Sequence, residues 1–116
     1  MARAAKLLPA PAKTKGMVQA AKGVYVHVGG NGLTNFGVIL TQEKPVIIDN
    51  DIRVRKEFLA GLRRLARKPA GLVLNTHHNF DHTSDNGYYH GRGAVSFGVD
   101  LIAQEMEREE RAGVWV

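Results

Sequence analysis

The 116-residue chain contains no cysteine, which excludes disulfide bonds and thiolate zinc sites. It also has no apolar run approaching the roughly 18 residues that a membrane-spanning helix needs, so we expect no membrane partner. Acidic residues are missing from positions 1–22, which hold five of the sixteen Lys and Arg, and the other eleven match the eleven Asp and Glu. Because the net charge of +5 belongs to the N-terminal segment, the composition argues against a nucleic-acid partner.

The basic N-terminal segment, residues 1–16, is predicted to be a disordered arm in front of one domain formed by residues 17–116. Pro9 and Pro11 interrupt its short apolar stretch, which falls below the roughly 7–15 uninterrupted apolar residues of a secretory signal. A transit peptide stays open on composition, because the segment is basic, alanine-rich and free of acids. We expect a soluble, cytoplasmic protein.

The first part of the domain has the alternating pattern of β-strands. Strands are predicted at 17–21 and 23–28, and the glycines of residues 29–32 predict a turn between two strands. In the second strand the valines share one face, whereas Tyr25 and His27 share the other. His27 is therefore expected to be a half-exposed strand residue rather than a metal ligand.

A helix and a buried strand follow. The spacing of Val54, Phe58 and Leu62 predicts an amphipathic helix from about Ile52 to Lys68, with a solvated basic face. The apolar segment 72–74 then predicts a central parallel strand. In open α/β sheets, the C-terminal end of such a strand is the usual place for a functional site.

The last part of the chain is predicted to form a second helix, from Leu101 to Arg111. Leu101, Ile102 and Met106 form its apolar stripe, and its glutamates are expected to face solvent. His90 is expected in a surface turn before this helix. We therefore assign no ligand role to His90.

The segment 75–82 directly follows the predicted central strand and concentrates the polar chemistry of the chain. Three of the five histidines and one aspartate, namely His77, His78, Asp81 and His82, fall within six residues. Imidazole and carboxylate together suit zinc or a similar first-row ion. The alternative is an ordinary polar turn, in which Asn, Asp, Thr and His are common.

The triplet Asp49-Asn50-Asp51 also resembles a cation-binding sequence. It lacks the glycine and the distal glutamate of a calcium loop, and it directly precedes the predicted helix. Asp51 or Asn50 as the N-cap explains the triplet without a metal, because acids are favourable at a helix N-terminus.

The histidine-rich segment resembles the His-x-His-x-Asp-His signature of the metallo-β-lactamase superfamily, with His77, Asn79, Asp81 and His82 at its metal positions. Asn79 stands where the signature has its second histidine. The order of strands and helix from about residue 18 to 112 is similar as well. The resemblance implies an α/β (α+β) fold with a mixed sheet, the N-terminal half of an αββα sandwich.

The resemblance also implies a function for these residues. Members of the superfamily bind one or two zinc ions and hydrolyse an ester, amide, thioester or phosphoester. Asp81 would then hold the metal and act catalytically by transferring a proton, and Asp49 would orient the loop from behind by hydrogen bonds. Because the further ligands come from the second half of the fold, we expect a truncated domain that binds zinc at most weakly. The sequence does not identify a small-molecule substrate.

Two alternatives to a hydrolase stay open. The chain could be a non-catalytic fragment or interaction module, which pairs with a second copy or a complementing chain through its open sheet face. It could also bind an anionic ligand or nucleic acid through the basic arm and helix, although the neutral body of the chain argues against this.

Overall fold

A computed structural model describes residues 16–29 and 33–113 of the chain. The predicted arm at 1–16 lies outside the described residues except for Gly16, and so do positions 30–32 of the predicted glycine turn. Within the described ranges the chain forms a mixed sheet with helices, the α+β arrangement predicted. The strands are β1 (Gly16–Ala21), β2 (Val24–Val28), β3 (Phe36–Ile39), β4 (Val46–Ile48), β5 (Leu72–Leu74) and β6 (Val95–Phe97); the α-helices are α1 (Arg55–Leu65), α2 (Phe80–Thr83), α3 (Asn86–His90) and α4 (Asp100–Arg111).

The sheet changes from antiparallel to parallel halfway along its width. Its strands follow the chain order from β1 to β6, and neighbours from β1 to β4 pair antiparallel. β4, β5 and β6 pair in parallel, which requires crossovers through α1 between β4 and β5 and through α2 and α3 between β5 and β6. β5 therefore has a parallel neighbour on each side, although it lies next to the edge strand β6 and not at the centre of the sheet, and its C-terminal end leads directly into the histidine-rich loop.

The helix after β4 begins with a capped 3₁₀ turn, Ile52–Val54. Asp51 is its N-cap, because the carboxylate accepts a hydrogen bond from the Arg53 backbone N–H at 2.9 Å. α1 ends at Leu65, three residues earlier than the predicted end at Lys68. The backbone becomes extended at Ala66, which returns the chain to the sheet.

One face of the sheet, here called the helix-covered face, contains the core. α1 packs on this face, and its predicted stripe supplies the buried side chains Val54, Phe58 and Leu62. The α3 residue Tyr89 is buried in the same cluster. The strand residues of this core are Phe36, Val38, Ile47 and Val73.

The opposite face of the sheet, here called the open face, is apolar along all six strands. Strand register places Val18 beside Val26, and Leu72 beside Val95, on this face. Its side chains are half-buried or exposed, and Val95 and Phe97 on β6 keep 54% and 58% of their surface accessible. The aliphatic and aromatic residues of the open face are Val18, Val24, Val26, Val28, Ile39, Val46, Ile48, Leu72, Leu74, Val95 and Phe97.

The expectation that His27 is half-exposed is wrong, because its face of β2 is the one that α1 covers. The side chain is buried, with 4% of its surface accessible, and its ring lies 5.9 Å from Phe36 and 5.5 Å from Phe58 between centroids. Among the described residues, Nδ1 of His27 has no hydrogen-bond partner. Burial lowers the pKa of His27 below its ordinary value, so the ring is neutral in the folded protein.

Replacement of His27 by phenylalanine is expected to stabilise the fold by about 1 kcal/mol, because it removes an unpaired buried nitrogen and keeps an aromatic ring. It should also flatten the pH dependence of stability. Below about pH 6.5 the unfolded chain binds a proton at His27 that the folded state resists, so wild-type stability falls as the pH drops from 7 to 5. Urea unfolding at both pH values measures this difference. An equal slope in the two proteins would contradict the lowered pKa of His27.

The C-terminal helix departs from its predicted orientation. Ile102 is the only buried residue of α4, whereas Leu101, placed on the predicted apolar stripe, keeps 60% of its surface accessible. Glu109, predicted on the solvated face, instead contacts His78 at 2.9 Å. None of the helices in the described part of the chain has the length and apolar character needed to cross a membrane.

Candidate metal centre

The predicted ligands lie at the C-terminal end of β5. Residues 75–79 form a loop, and α2 carries Asp81 and His82 in its single turn. The structure brings the rings of His77 and His82 to 5.3 Å between centroids. The ring of His82 also lies beside the Asp81 carboxylate, while the side chain of Asn79 at the start of α2 is exposed.

His82 is held by a carboxylate behind the loop. Its Nδ1 lies 2.8 Å from Oδ2 of Asp49. An ionised carboxylate only accepts hydrogen bonds, so Nδ1 carries the proton and donates it to Asp49. In the neutral ring the lone pair is then on Nε2. This carboxylate–histidine pair is the arrangement that commonly fixes the tautomer of a metal-binding imidazole.

The Asp81 carboxylate faces that lone pair. Oδ2 of Asp81 accepts a 2.7 Å hydrogen bond from the Thr34 hydroxyl, while Oδ1 lies 3.6 Å from Nε2 of His82. With His82 neutral, two acceptor atoms face each other across this distance. Zinc ligand distances of about 2.0–2.2 Å give a tetrahedral ligand–ligand separation of about 3.4 Å. The two atoms are thus spaced as neighbouring ligands of one ion.

The charge of Asp81 is maintained by its surroundings. The Thr34 hydroxyl, which donates to Oδ2, is the main cause that holds the pKa of Asp81 below its ordinary value. The charge of a protonated His82 and that of Arg53 act in the same direction. Asp81 is therefore ionised at neutral pH, as a metal-binding carboxylate must be.

Asp49 itself has an uncommon backbone conformation. Its φ of +63° lies in the left-handed region, where aspartate is one of the few side chains tolerated. This conformation accompanies contacts with the loop: Oδ1 accepts from the Thr76 backbone N–H at 2.7 Å, and the Thr76 hydroxyl donates to Oδ2. Asp49 is buried. Strained backbone of this kind persists where the surroundings fix it, often at functional sites.

Three asparagines anchor the other side of the loop. Asn75 Nδ2 donates to the His82 carbonyl at 3.1 Å, and Asn86 Nδ2 donates to Asn75 Oδ1 at 2.8 Å. Asn50 Nδ2 completes the cluster by donating to Asn86 Oδ1 at 2.6 Å. Because buried amides left unpaired are costly, this network holds α2 and α3 in one position relative to the sheet.

His77 and Asn79 fit the site less well. Nδ1 of His77 accepts a 3.3 Å hydrogen bond from the Asn79 backbone N–H, and its ring stacks on His78 at 4.7 Å. Among the described residues, the only three ligand-type side chains whose donor atoms lie within 4.8 Å of one another are His78, Glu105 and Glu109. The structure therefore brings Asp81 and His82 together, and His77 beside them without full convergence.

Several residues of this centre carry no signal in the sequence. Thr34 lies 47 positions from the Asp81 that it contacts, and Asn86 lies 36 positions from Asn50. Threonine and asparagine at such positions look like ordinary loop residues. The position of Asn75 at the end of a central strand is the one local signal that could have indicated a structural role.

Comparison with solved structures supports the fold. A metallo-β-lactamase from Hirschia baltica matches with a TM-score of 0.66 at 22% identity, over 85% of this chain and 48% of that chain. The chain has the metallo-β-lactamase fold. The FIM-1 enzyme from Pseudomonas aeruginosa, in its mono-zinc form, matches with a TM-score of 0.67 at 14% identity, over 85% of this chain and 46% of its own. DIM-1 matches at 0.65 and 14%, over 81% and 46%.

The similarity shows a shared fold, of which this chain contains only a part. The chain spans about half the length of these metallo-β-lactamases, and it corresponds to their N-terminal half. No protein-family model and no curated protein matches the sequence.

Proposed function

We propose that the chain is the loop-bearing half of a zinc-dependent hydrolase with the metallo-β-lactamase fold, in which His77, Asp81 and His82 hold the metal. The observation that supports this most directly is the contact series from Asp49 through His82 to Asp81. It presents an imidazole lone pair and a carboxylate oxygen 3.6 Å apart at the C-terminal end of β5.

The residues of this site have separate roles in the proposed hydrolysis. When bound, zinc supplies Lewis acidity that activates water and polarises the substrate oxygen. Asp49 keeps His82 in the tautomer that exposes Nε2. Thr34 donates to Oδ2 of Asp81, so Oδ1, which faces His82, is the oxygen best placed for the metal or a proton, and the lowered pKa of Asp81 favours the ligand role. The substrate class is an ester, amide, thioester or phosphoester.

Zinc affinity of this half-site is expected to be low. Asn79 replaces an imidazole, and a neutral amide oxygen is a weak zinc ligand. His77 must also give up the hydrogen bond that its Nδ1 accepts from Asn79. The superfamily resemblance implies further ligands from the other half of the fold, so turnover is expected only when that half completes the site.

Zinc-dependent thermal unfolding tests the metal site. At about 1 mM zinc, a site with a dissociation constant of about 0.1 mM stabilises the folded state by about 1.4 kcal/mol. We expect this stabilisation in a Glu109→Gln background. This substitution removes one possible ligand from the neighbouring group of His78, Glu105 and Glu109. The stabilisation should disappear when His82→Ala is added.

His90→Ala is the matched control, because it removes an exposed histidine outside the loop. That variant should retain the full zinc effect. A midpoint that zinc leaves unchanged, or one that rises equally with and without His82, would contradict the assignment of the loop as a metal site.

The open face supports a second candidate function. Strand spacings of about 4.8 Å and rises of about 3.3 Å per residue give the six-stranded face an area of roughly 400 Å². The largest apolar patch on a typical monomer is about 300–600 Å², and it is often functional. We propose that this face binds a second copy of the chain, since two identical apolar sheets can pack about a two-fold axis as a sandwich. This candidate is an interaction module without catalysis.

A further inference from the structure

A second group of ligand-type side chains lies next to the loop, on the surface between the loop and α4. It consists of His78, Glu105 and Glu109, and is called here the α4 cluster. Nε2 of His78 lies 2.9 Å from Oε1 of Glu109. One nitrogen or oxygen from each of the three side chains lies within 4.8 Å of the other two.

The helix geometry explains why the two carboxylates converge. Glu105 and Glu109 are four residues apart on α4, so they lie one above the other on the same side of the helix. The side chains of the cluster are partly shielded, with 23% of His78 and 17% of Glu109 accessible. Two acids of like charge placed together repel each other unless a cation or a proton lies between them.

The chemistry of the cluster is that of a divalent metal site. One imidazole and two carboxylates are ligands that zinc accepts, and three protein ligands with water in the fourth position form a common open zinc site. The observed donor separations require only small side-chain shifts to reach a tetrahedral arrangement around zinc. The cluster uses none of the residues assigned to the hydrolytic site, so it is a separate centre.

A metal ion bound at the α4 cluster would affect how α4 is held to the domain. α4 has a single buried residue, Ile102, and is otherwise attached to the domain by little apolar contact. His78 belongs to the loop, whereas both glutamates belong to α4. An ion held by all three side chains would therefore fasten α4 to the histidine-rich loop.

We propose that His78, Glu105 and Glu109 form a zinc site that joins α4 to the loop. The proposal is independent of the hydrolytic site, because neither set of ligands includes a residue of the other. The contact of His78 with Glu109 and the ion pair of Glu105 with Arg108 explain each pair by itself, and the zinc site is inferred from the convergence of all three side chains.

Arg108 opposes cation binding at the α4 cluster. Its guanidinium is hydrogen-bonded to Oε2 of Glu105, with Nε at 2.9 Å. A positive charge beside a ligand oxygen competes with a bound cation. Zinc binding at the α4 cluster must therefore overcome this ion pair.

Calorimetric titration of the whole chain with zinc tests the proposal. We expect an event that Glu109→Gln weakens at least tenfold, because direct ligands should matter at least as much as the residues that support them. Glu109→Gln keeps a hydrogen-bonding side chain beside His78, so α4 can remain in place. Glu110→Gln, the same change one position further along α4, should leave this event unchanged, and so should His82→Ala.

Arg108→Gln is expected to change zinc affinity in the opposite direction from Glu109→Gln. Removal of the competing charge is expected to raise zinc affinity severalfold, which a purely structural His78–Glu109 contact does not predict. The proposal is overturned if wild-type zinc binding is the same in Glu109→Gln as in Glu110→Gln, or if Arg108→Gln lowers the affinity. Loss of binding only in His82→Ala would instead support the hydrolytic site alone.

Discussion

Replacement of Asp49 by alanine is expected to lower the free energy of unfolding by about 3 kcal/mol, because a buried carboxylate that accepts several hydrogen bonds is lost. The Thr76 backbone N–H, the Thr76 hydroxyl and Nδ1 of His82 all lose their acceptor. Alanine is also disfavoured at the φ of +63°, which adds strain. Urea unfolding of the two proteins measures this difference.

Two further variants separate the carboxylate from the backbone conformation. Asp49→Asn keeps the left-handed preference and one acceptor oxygen, so it should cost about half as much as alanine. Asp49→Gly removes the backbone strain but keeps no acceptor, so it should fall between asparagine and alanine. A loss below about 1 kcal/mol for alanine would show that the contacts of Asp49 do not organise the loop.

Asp49 also connects stability to the proposed metal site. Because its carboxylate sets the tautomer of His82, Asp49→Asn should weaken zinc binding at the loop by about 10–100-fold. The same variant should leave the α4 cluster unaffected, since the Asp49 carboxylate contacts Thr76 and His82, whereas the α4 cluster is joined to the loop through His78 and Glu109.

The order of elements was predictable from sequence because it depends on local periodicity. The repeat of Val54, Phe58 and Leu62 indicates a helix wherever the chain folds, and the apolar run 72–74 before a polar loop indicates a central strand. The prediction of which face of β2 is buried failed because that choice depends on long-range packing. Alternation shows that Tyr25 and His27 share a side of β2, but only the position of α1 decides which side is covered.

The candidate centre shows the same division between local and long-range information. His77, Asp81 and His82 are close in sequence, so their grouping is visible without a structure. The contact of Asp81 with Thr34 joins positions 47 residues apart and follows from no local pattern. The inward turn of Glu109 was missed because a glutamate on an amphipathic helix is usually solvated.

The sheet of this chain has apolar residues on both faces. The valines of β2 share one face, as their alternation with Tyr25 and His27 predicts, and that face is the open one. Strands buried on both sides have apolar residues on both faces, as parallel strands of layered folds do. The sequence pattern of this chain is thus that of a sheet with two covered faces.

Introduction of lysine at both ends of the open face is expected to convert a self-associating chain to a monomer. The proposed pair Val18→Lys and Phe97→Lys places charges on β1 and β6, where both side chains are accessible. A packed sandwich would have to bury these charges, whereas a monomer keeps them in water. Lysine on edge strands is also a common device against sheet pairing.

Sedimentation velocity at about 50 μM distinguishes the two states, since a Kd well below this concentration populates the dimer. Wild-type protein should sediment above the monomer mass of 12.7 kDa, and the double variant should sediment at it. Ile52→Lys is the matched control, because Ile52 is an apolar residue with 43% of its surface accessible but lies outside the sheet. A wild-type chain that stays monomeric, or a double variant that associates as strongly as Ile52→Lys, would exclude the open face as an interface between copies. If only the open-face variant dissociates, the association depends on the sheet surface rather than on general hydrophobicity.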